Sequence, residues 1–358
     1  VRRPFAILAS ASLLAGTVLA AGRRPPAPPA LPPAAPPSVS LRVEPSATGP
    51  WKVRVENTGS LPLRLTADAR LLSLELEAEG GGTVRCALPD DMRPSTDVEQ
   101  ALLLPPGRAW EDRFDPALYC FGPKESEALA SGTAVPRLGW SAARSGLTPP
   151  FVVSPPPREA EPTDASPAWP APAKEIVGRS FPLPTPPAAP PPPALPAPRE
   201  PFPSKLHVSI APRIDVAEAF DLPVAFAIVN DGERAEAIVL HAGILALDVQ
   251  GPSGAVRCAL GITPRPVREN LVSLPPGGGR TSLSVLVDRL CPVGTFARPG
   301  LYRLRPRLDT RRIGPPPRGV RMFAGEVVGE AGLLRVRRGS APWPAPTLAR
   351  VDDAGPGK

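Results

Sequence analysis

Val84-Arg85-Cys86-Ala87-Leu88 recurs as Val256-Arg257-Cys258-Ala259-Leu260, and this doubling decides how the chain is to be read. Outward from it the match continues. Leu103-Leu104-Pro105-Pro106-Gly107 returns as Ser273-Leu274-Pro275-Pro276-Gly277. Cys120-Phe121-Gly122 has its counterpart in Cys291-Pro292-Val293-Gly294, and Ala168-Trp169-Pro170-Ala171-Pro172 in Pro342-Trp343-Pro344-Ala345-Pro346. Order and approximate spacing are kept throughout. A period of about 170 residues is too long for a solenoid unit, so the chain carries a duplicated domain.

Within each copy the local pattern is strand and turn. Leu41 and Val43, Val53 and Val55, then Leu61, Leu63 and Leu65 alternate with other residues at the period of half-buried strands. Asn57-Thr58-Gly59-Ser60 is a turn between two such runs, and Asn230-Asp231-Gly232-Glu233 is its counterpart after Val224, Phe226 and Ile228. Further runs cover 72–76, 84–88, 101–104 and 109–114, and in the second copy 244–249, 256–260, 271–274, 282–287 and 301–304. Residues 320–328 and 333–336 read as a closing hairpin around Gly329 and Gly332. About seven to nine short strands per copy, with frequent turns and no long amphipathic helix, predict an all-β protein of two tandem β-sandwiches.

Val53-Arg54-Val55-Glu56-Asn57-Thr58-Gly59, followed by Pro62-Leu63-Arg64-Leu65, resembles the second-strand signature of bacterial immunoglobulin-like modules. The Leu-Pro-Pro-Gly turn and Pro299-Gly300-Leu301-Tyr302 resemble later strands of the same class, which includes a proteinase-inhibitor type. The resemblance implies an Ig-like sandwich in each copy. It implies no single activity, because such folds host many roles.

The 57 prolines cluster between the copies and before the first. Residues 25–37 and 182–203, mostly proline and alanine, are expected to be extended polyproline spacers. The second would span roughly 70 Å at ~3.1 Å per residue and hold two modules apart. A PxxP ligand for an SH3-like partner is the alternative use.

Residues 1–21 read as a secretory signal, with Arg2 and Arg3 before the apolar stretch 5–19 and small residues near Ala20. An uncleaved anchor and a twin-arginine export route stay open as alternatives. The four cysteines agree with export. Four allow three connectivities, and the repeat favours Cys86–Cys120 with Cys258–Cys291. Each bridge would contribute roughly 3–4 kcal/mol by restricting the unfolded chain. The spacing offers no zinc site, because no C-x-x-C or Cys/His pair exists. The expected organisation is a signal over 1–21, a linker over 22–38, a sandwich over 39–154, a linker over 155–204, a sandwich over 205–340 and a tail over 341–358.

The net charge is +7, and lysine occurs only at Lys52, Lys124, Lys174, Lys205 and Lys358, so 36 of the 41 basic residues are arginine. Codon usage in a GC-rich genome explains such a bias, as does anion recognition by guanidinium forks. Eleven arginines fall between Arg298 and Arg338 against Asp309, Glu326 and Glu330. Alternation places Arg303, Arg305 and Arg307 on one strand face. With Arg335 and Arg337 they form the candidate anion-binding set. An envelope polyanion or an acidic protein is the expected partner. Nucleic acid is not, because export removes it and stacking aromatics are sparse. A membrane enters only through an uncleaved signal. Trp169 and Trp343 share a Trp-Pro-Ala-Pro setting, read as an indole pinning the chain end to its sandwich or as an exposed ring for a sugar or protein groove.

No motif of an enzyme stands out, and no cofactor or metal is expected. His207 and His241 lie in or beside apolar strand-like runs. Gly251-Pro252-Ser253-Gly254 reads as a hairpin turn, and Gly277-Gly278-Gly279-Arg280, lacking a phosphate-loop lysine, as a strand connection. Asp90, Asp91, Asp97 and Glu99 form an acidic loop that matches no EF-hand and is read as solvated. The expected function is therefore a non-catalytic binding or structural protein of the bacterial envelope, periplasmic, outer-surface or secreted. The alternative is a secreted proteinase inhibitor presenting 89–100 or 263–270 to a protease cleft.

Overall fold

The computed structural model describes residues 38–47, 49–77, 81–94, 101–140, 151–155, 172–184, 205–311, 313–315 and 317–343. The expected signal, the first linker up to residue 37, residues 185–204 of the second, Trp169, Asp97, Glu99 and the tail beyond Trp343 lie outside them. The described chain is mostly β.

The first module runs through β1 (Val39–Glu44), β2 (Trp51–Asn57), β3 (Leu63–Thr66), β4 (Leu72–Glu77), β5 (Thr83–Ala87), β6 (Ala101–Leu104) and β7 (Ala109–Phe114). Two short helices follow, α1 (Pro116–Tyr119) and α2 (Pro123–Ala128). The module closes with β8 (Thr133–Gly139), β9 (Val153–Ser154), β10 (Glu175–Val177) and β11 (Phe181–Pro182). One sheet has the order β1-β2-β7, a second β10-β8-β4-β5 with β11 also on β8, and a small third β6-β3-β9.

The second module repeats the plan with β12 (Leu206–Ser209), β13 (Arg213–Val216), β14 (Pro223–Asn230), β15 (Glu236–Val239), β16 (Leu245–Gly251), β17 (Gly254–Ala259), β18 (Leu271–Leu274) and β19 (Gly279–Leu286). After helix α3 (Val287–Leu290) come β20 (Gly300–Asp309), β21 (Glu326–Val328) and β22 (Gly332–Val336). Its sheets are β12-β14-β19, β15-β18, and β13-β22-β20-β16-β17 with β21 on β20. In each module the core lies where two sheets face one another. Val53 and Val55 of β2 meet the cluster that holds Leu72, Leu74 and Leu76 of β4. Phe226 and Ile228 of β14 join Leu245, Leu247 and Val249 of β16.

β2 and β14 both end on a fully buried asparagine. The Asn57 amide donates to the carbonyls of Leu61 (2.8 Å) and Leu104 (2.9 Å), and its Oδ1 accepts from the Gly59 N–H. Asn230 likewise donates to Arg234, Leu274 and Pro275 and accepts from Gly232. The turn read from sequence is thus a clamp that ties the end of the second strand to the Leu-Pro-Pro turn. Both disulfides form with the expected pairing, Cys86–Cys120 and Cys258–Cys291. Each fastens a strand, β5 or β17, to the end of a short helix, α1 or α3.

Three expectations change. Residues 172–184, read as linker, supply β10 and β11 on the edge of β8, and Val153 bridges Ala173. The first module therefore extends well beyond residue 154. Second, 320–336 is not a hairpin, because β21 and β22 both pair antiparallel with β20, at 307–309 and 300–304. They lie in line along β20, interrupted near Gly329, and β22 is flanked on its other side by β13. The same interruption falls at Gly178 between β10 and β11. In each case the glycine N–H donates to a proline carbonyl on the neighbouring strand, Gly178 to Pro136 and Gly329 to Pro306. Those prolines withhold a ladder donor, and the last strand breaks opposite them. A Cβ on Gly178 would lie 2.6 Å from the Leu41 carbonyl oxygen, and one on Gly329 would strike that of Val208. Third, the modules are not held apart: they touch through the contacts described below.

In equilibrium urea unfolding of the intact, oxidised chain, Asn230→Ala should lose about 2–4 kcal/mol, because buried carbonyls lose their donor. Gly329→Ala should lose about 1–3 kcal/mol by backbone displacement, while the exposed Ser284→Ala should stay within about 0.5 kcal/mol.

Candidate functional site

Strand β20 lies in the middle of the large sheet of the second module. Its burial alternates, with Tyr302, Leu304, Pro306 and Leu308 turned inward. Arg303, Arg305 and Arg307 therefore share its outward face, as the sequence period requires. Leu301 lies on that face too, and Arg335 on β22 is its cross-strand partner. All five candidate arginines belong to one side of one sheet or its margin, but the sheet uses them in two ways.

The end that carries Leu301 and Arg335 is covered by the first module. Leu301 packs against that module's core cluster. Arg335, only 9% exposed, pairs with Asp215 on neighbouring β13, donates to the Leu118 carbonyl at 3.2 Å and stacks 4.4 Å over the Phe121 ring. Arg337 bridges Asp215 at 3.5 Å and Asp91 at 3.3 Å, and Arg338 reaches Asp91 at 3.7 Å. Trp343 packs on the core of the first module with Arg70 stacked 5.6 Å over its ring. Its indole pins a chain end, but against the other module and not its own.

The opposite end is open. A groove of about 540 Å³ is lined by Arg257, Arg303, Arg305 and Asp248 together with short neutral residues. The three strands β17, β16 and β20 bring Arg257, Asp248 and Arg305 into one cross-strand row. Asp248 pairs with Arg257 at 2.8 Å and with Arg307, which also meets Glu326 at 2.7 Å. Arg303 spans to Asp115 of the first module at 3.2 Å. Arg305 forms no ion pair among the described residues and is exposed. Burial works to raise the pKa of Asp248, but hydrogen bonds from Arg257 and Arg307 outweigh it and hold the carboxylate below its usual range.

The other sequence candidates lie elsewhere. His207 meets Asp231 at 3.1 Å on the surface of β12. His241 accepts the Gly243 N–H at 2.9 Å, capping a single 3-10 turn. Asp90 and Asp91 form another such turn, and Asp91 serves the module contact. Of the two loops considered for a protease cleft, 263–270 is described in full and ends in a 3-10 turn at Arg268–Asn270. Sequence reasoning did not single out Asp215 and Asp248. Their signal was position: each interrupts an apolar strand run beside arginines whose register was not yet known. The chain matches no known family model and no curated protein sequence.

Arg335→Ala should loosen the module contact, losing charged hydrogen bonds of about 1.5–3 kcal/mol. The radius of gyration in small-angle scattering should rise while the disulfides and the far-ultraviolet circular dichroism stay unchanged. The depressed pKa of Asp248 contributes stability above the unfolded-state value near ~3.9, lost as pH falls through the folded value. Asp248→Asn should therefore be less stable at neutral pH and show a shallower acid limb below about pH 4 in unfolding measurements.

Proposed function

We propose that the protein is an exported, non-catalytic binding protein of the bacterial cell envelope, made of two tandem immunoglobulin-like sandwiches, and that it holds an anionic ligand in the open arginine groove of the second. The two disulfides belong to an oxidising, extracytoplasmic environment. No helix among the described residues is long and apolar enough to cross a membrane. The sheet orders support the Ig-like reading: first-second-seventh strand facing last-eighth-fourth-fifth corresponds to the A-B-E and G-F-C-C′ sheets of such sandwiches. Tyr302 adds to it, since its hydroxyl reaches back to the Arg298 carbonyl at 2.6 Å in the manner of a tyrosine corner.

The observation that carries the ligand class is Arg305. It is a guanidinium without an ion-pair partner among the described residues, in a groove that it shares with Arg257 and Arg303 and a single carboxylate, Asp248. A planar fork in that setting suits phosphate or carboxylate oxygens. Lipopolysaccharide phosphates, an acidic polysaccharide or an acidic protein would each present them.

Co-sedimentation of the intact, oxidised chain with purified envelope material across a salt series tests this. Arg305→Glu should weaken binding about tenfold, a change of ~1.4 kcal/mol. Arg280→Glu, an exposed charge reversal on β19, should weaken it far less. Equal losses for both variants would reduce the interaction to unspecific charge. No pelleting at low salt would remove the envelope ligand and turn attention to a protease partner.

A further inference from the structure

Between the two modules lies a second cavity, a cleft of about 520 Å³. The first module contributes Asp112, Phe114, Leu118 and Tyr119 to its lining, and the second contributes Leu301 and Trp343. The cleft is thus apolar and aromatic for much of its wall, with the carboxylates of Asp68, Asp112 and Asp115 and the guanidinium groups of Arg70, Arg113 and Arg303 set into it.

Asp112 is in an unexpected place. On β7 it stands opposite Val53, between the pairs Val55–Trp110 and Trp51–Phe114. Directly paired residues share a face of the sheet, and all five of those neighbours are buried. Asp112 therefore projects from the core side of its strand. The duplication supplies an internal comparison. In the second module the same register position on β19, opposite Phe226, is Leu283, which packs against the core as the fold requires. Where the second module has a leucine on its core face, the first has a carboxylate.

The other carboxylates of the cleft are matched, while Arg113 reaches the lining from the opposite face of β7, where it stands across from Lys52. Asp68 is held by the Arg70 fork at 3.0 and 2.6 Å, and Asp115 by Arg303 at 3.2 Å. Asp112 accepts the Arg113 backbone N–H at 2.7 Å and has no ion pair among the described residues. Burial, together with the nearby Asp68 charge, raises its pKa despite that hydrogen bond. A carboxylate on a core face without a counter-charge is a cost to folding, and such costs concentrate where a ligand supplies the missing partner.

The geometry points to the inter-module cleft as a binding site for a small organic cation, an alkylammonium compound whose charge meets Asp112 and whose apolar body lies against Phe114, Tyr119 and Leu301. The cavity is of the size that small-molecule sites occupy, and aromatic walls favour an ammonium group over a neutral isostere. The cleft shares Arg303 and Gln250 with the arginine groove, but Asp112 lines only the cleft and Arg305 only the groove, and the two ligands are opposite in charge, so either can fail without the other.

Calorimetric titration of the intact, oxidised chain at neutral pH with butylammonium, cadaverine and tetramethylammonium, using 1-butanol as the neutral comparator, tests the inference. At least one of the ammonium compounds should bind more than tenfold tighter than butanol, and Asp112→Asn should remove at least tenfold of that affinity. Asp112→Leu, which restores the residue of the second module, should abolish binding while leaving the unfolding midpoint of the ligand-free protein unchanged or higher. Absence of binding by every ammonium compound, or equal binding by wild type and Asp112→Asn, would overturn the proposal. So would a lowered midpoint in ligand-free Asp112→Leu, because the carboxylate would then be a structural group.

Discussion

A primary amide sealed away from water must satisfy two donors and an acceptor at once, or it costs more than the folded state can spare. Asn57 and Asn230 meet that demand by joining three stretches of chain: their own strand end, the turn after it and the Leu-Pro-Pro turn that leads into β7 or β19. The backbone follows the side chain. Gly107 donates to the Asn57 carbonyl at 2.8 Å, and Gly278 to that of Asn230 at 2.8 Å. With both ends of the pairing tied at the asparagine, the register of β2 on β7 and of β14 on β19 is set, and with it which residues face the core. A slip of one residue would turn every apolar side chain of β2 to solvent. The place of Asp112 on an inner face is a consequence of the same clamp.

One plan repeated in one chain lets each copy serve as the standard for the other. Pro136 and Pro306, Gly178 and Gly329, and the disulfides agree between them, and these are scaffold. Several of the differences fall where the modules meet. The first module keeps an aspartate where the second has Leu283. The second directs Leu301, Arg335 and Trp343 at its neighbour. Arg335 is the most buried charge among them, 9% exposed, so its removal from those partners would leave buried groups unpaired. The outward face of the large sheet is divided accordingly. One part is consumed in holding the modules together and the other is left open.

The fold was legible wherever a period of two could act. The strands from Leu41 to Phe114, and their counterparts, lie where alternation put them, and the repeat settled the cysteine pairing. Short helices were missed, since four to six residues show no amphipathic period, although Asp115-Pro116 and Gly122-Pro123 are recognisable helix starts. β10 and β11 were lost inside a proline-rich stretch, because three residues of edge strand are too few to outweigh composition. Of the candidate arginines, the shared face of 303, 305 and 307 could be read from spacing alone. What could not be read was which of them a carboxylate from a distant part of the chain would neutralise. Asp115 lies 188 positions from Arg303, and no local pattern encodes that meeting. Trp343 was recognised as an anchor but assigned to the wrong module for the same reason.

The return of Trp343 to the first module has a topological consequence. The described chain begins in the first module at Ser38 and, at Trp343, comes back to rest on it. The two modules are therefore joined twice, once through the covalent chain and once through the packing of a residue that follows the second module. Docking within one chain costs only the entropy of closure, which rises by about 0.6 kcal/mol for each doubling of the connecting length. Proline there acts by lowering the number of conformations that closure must give up.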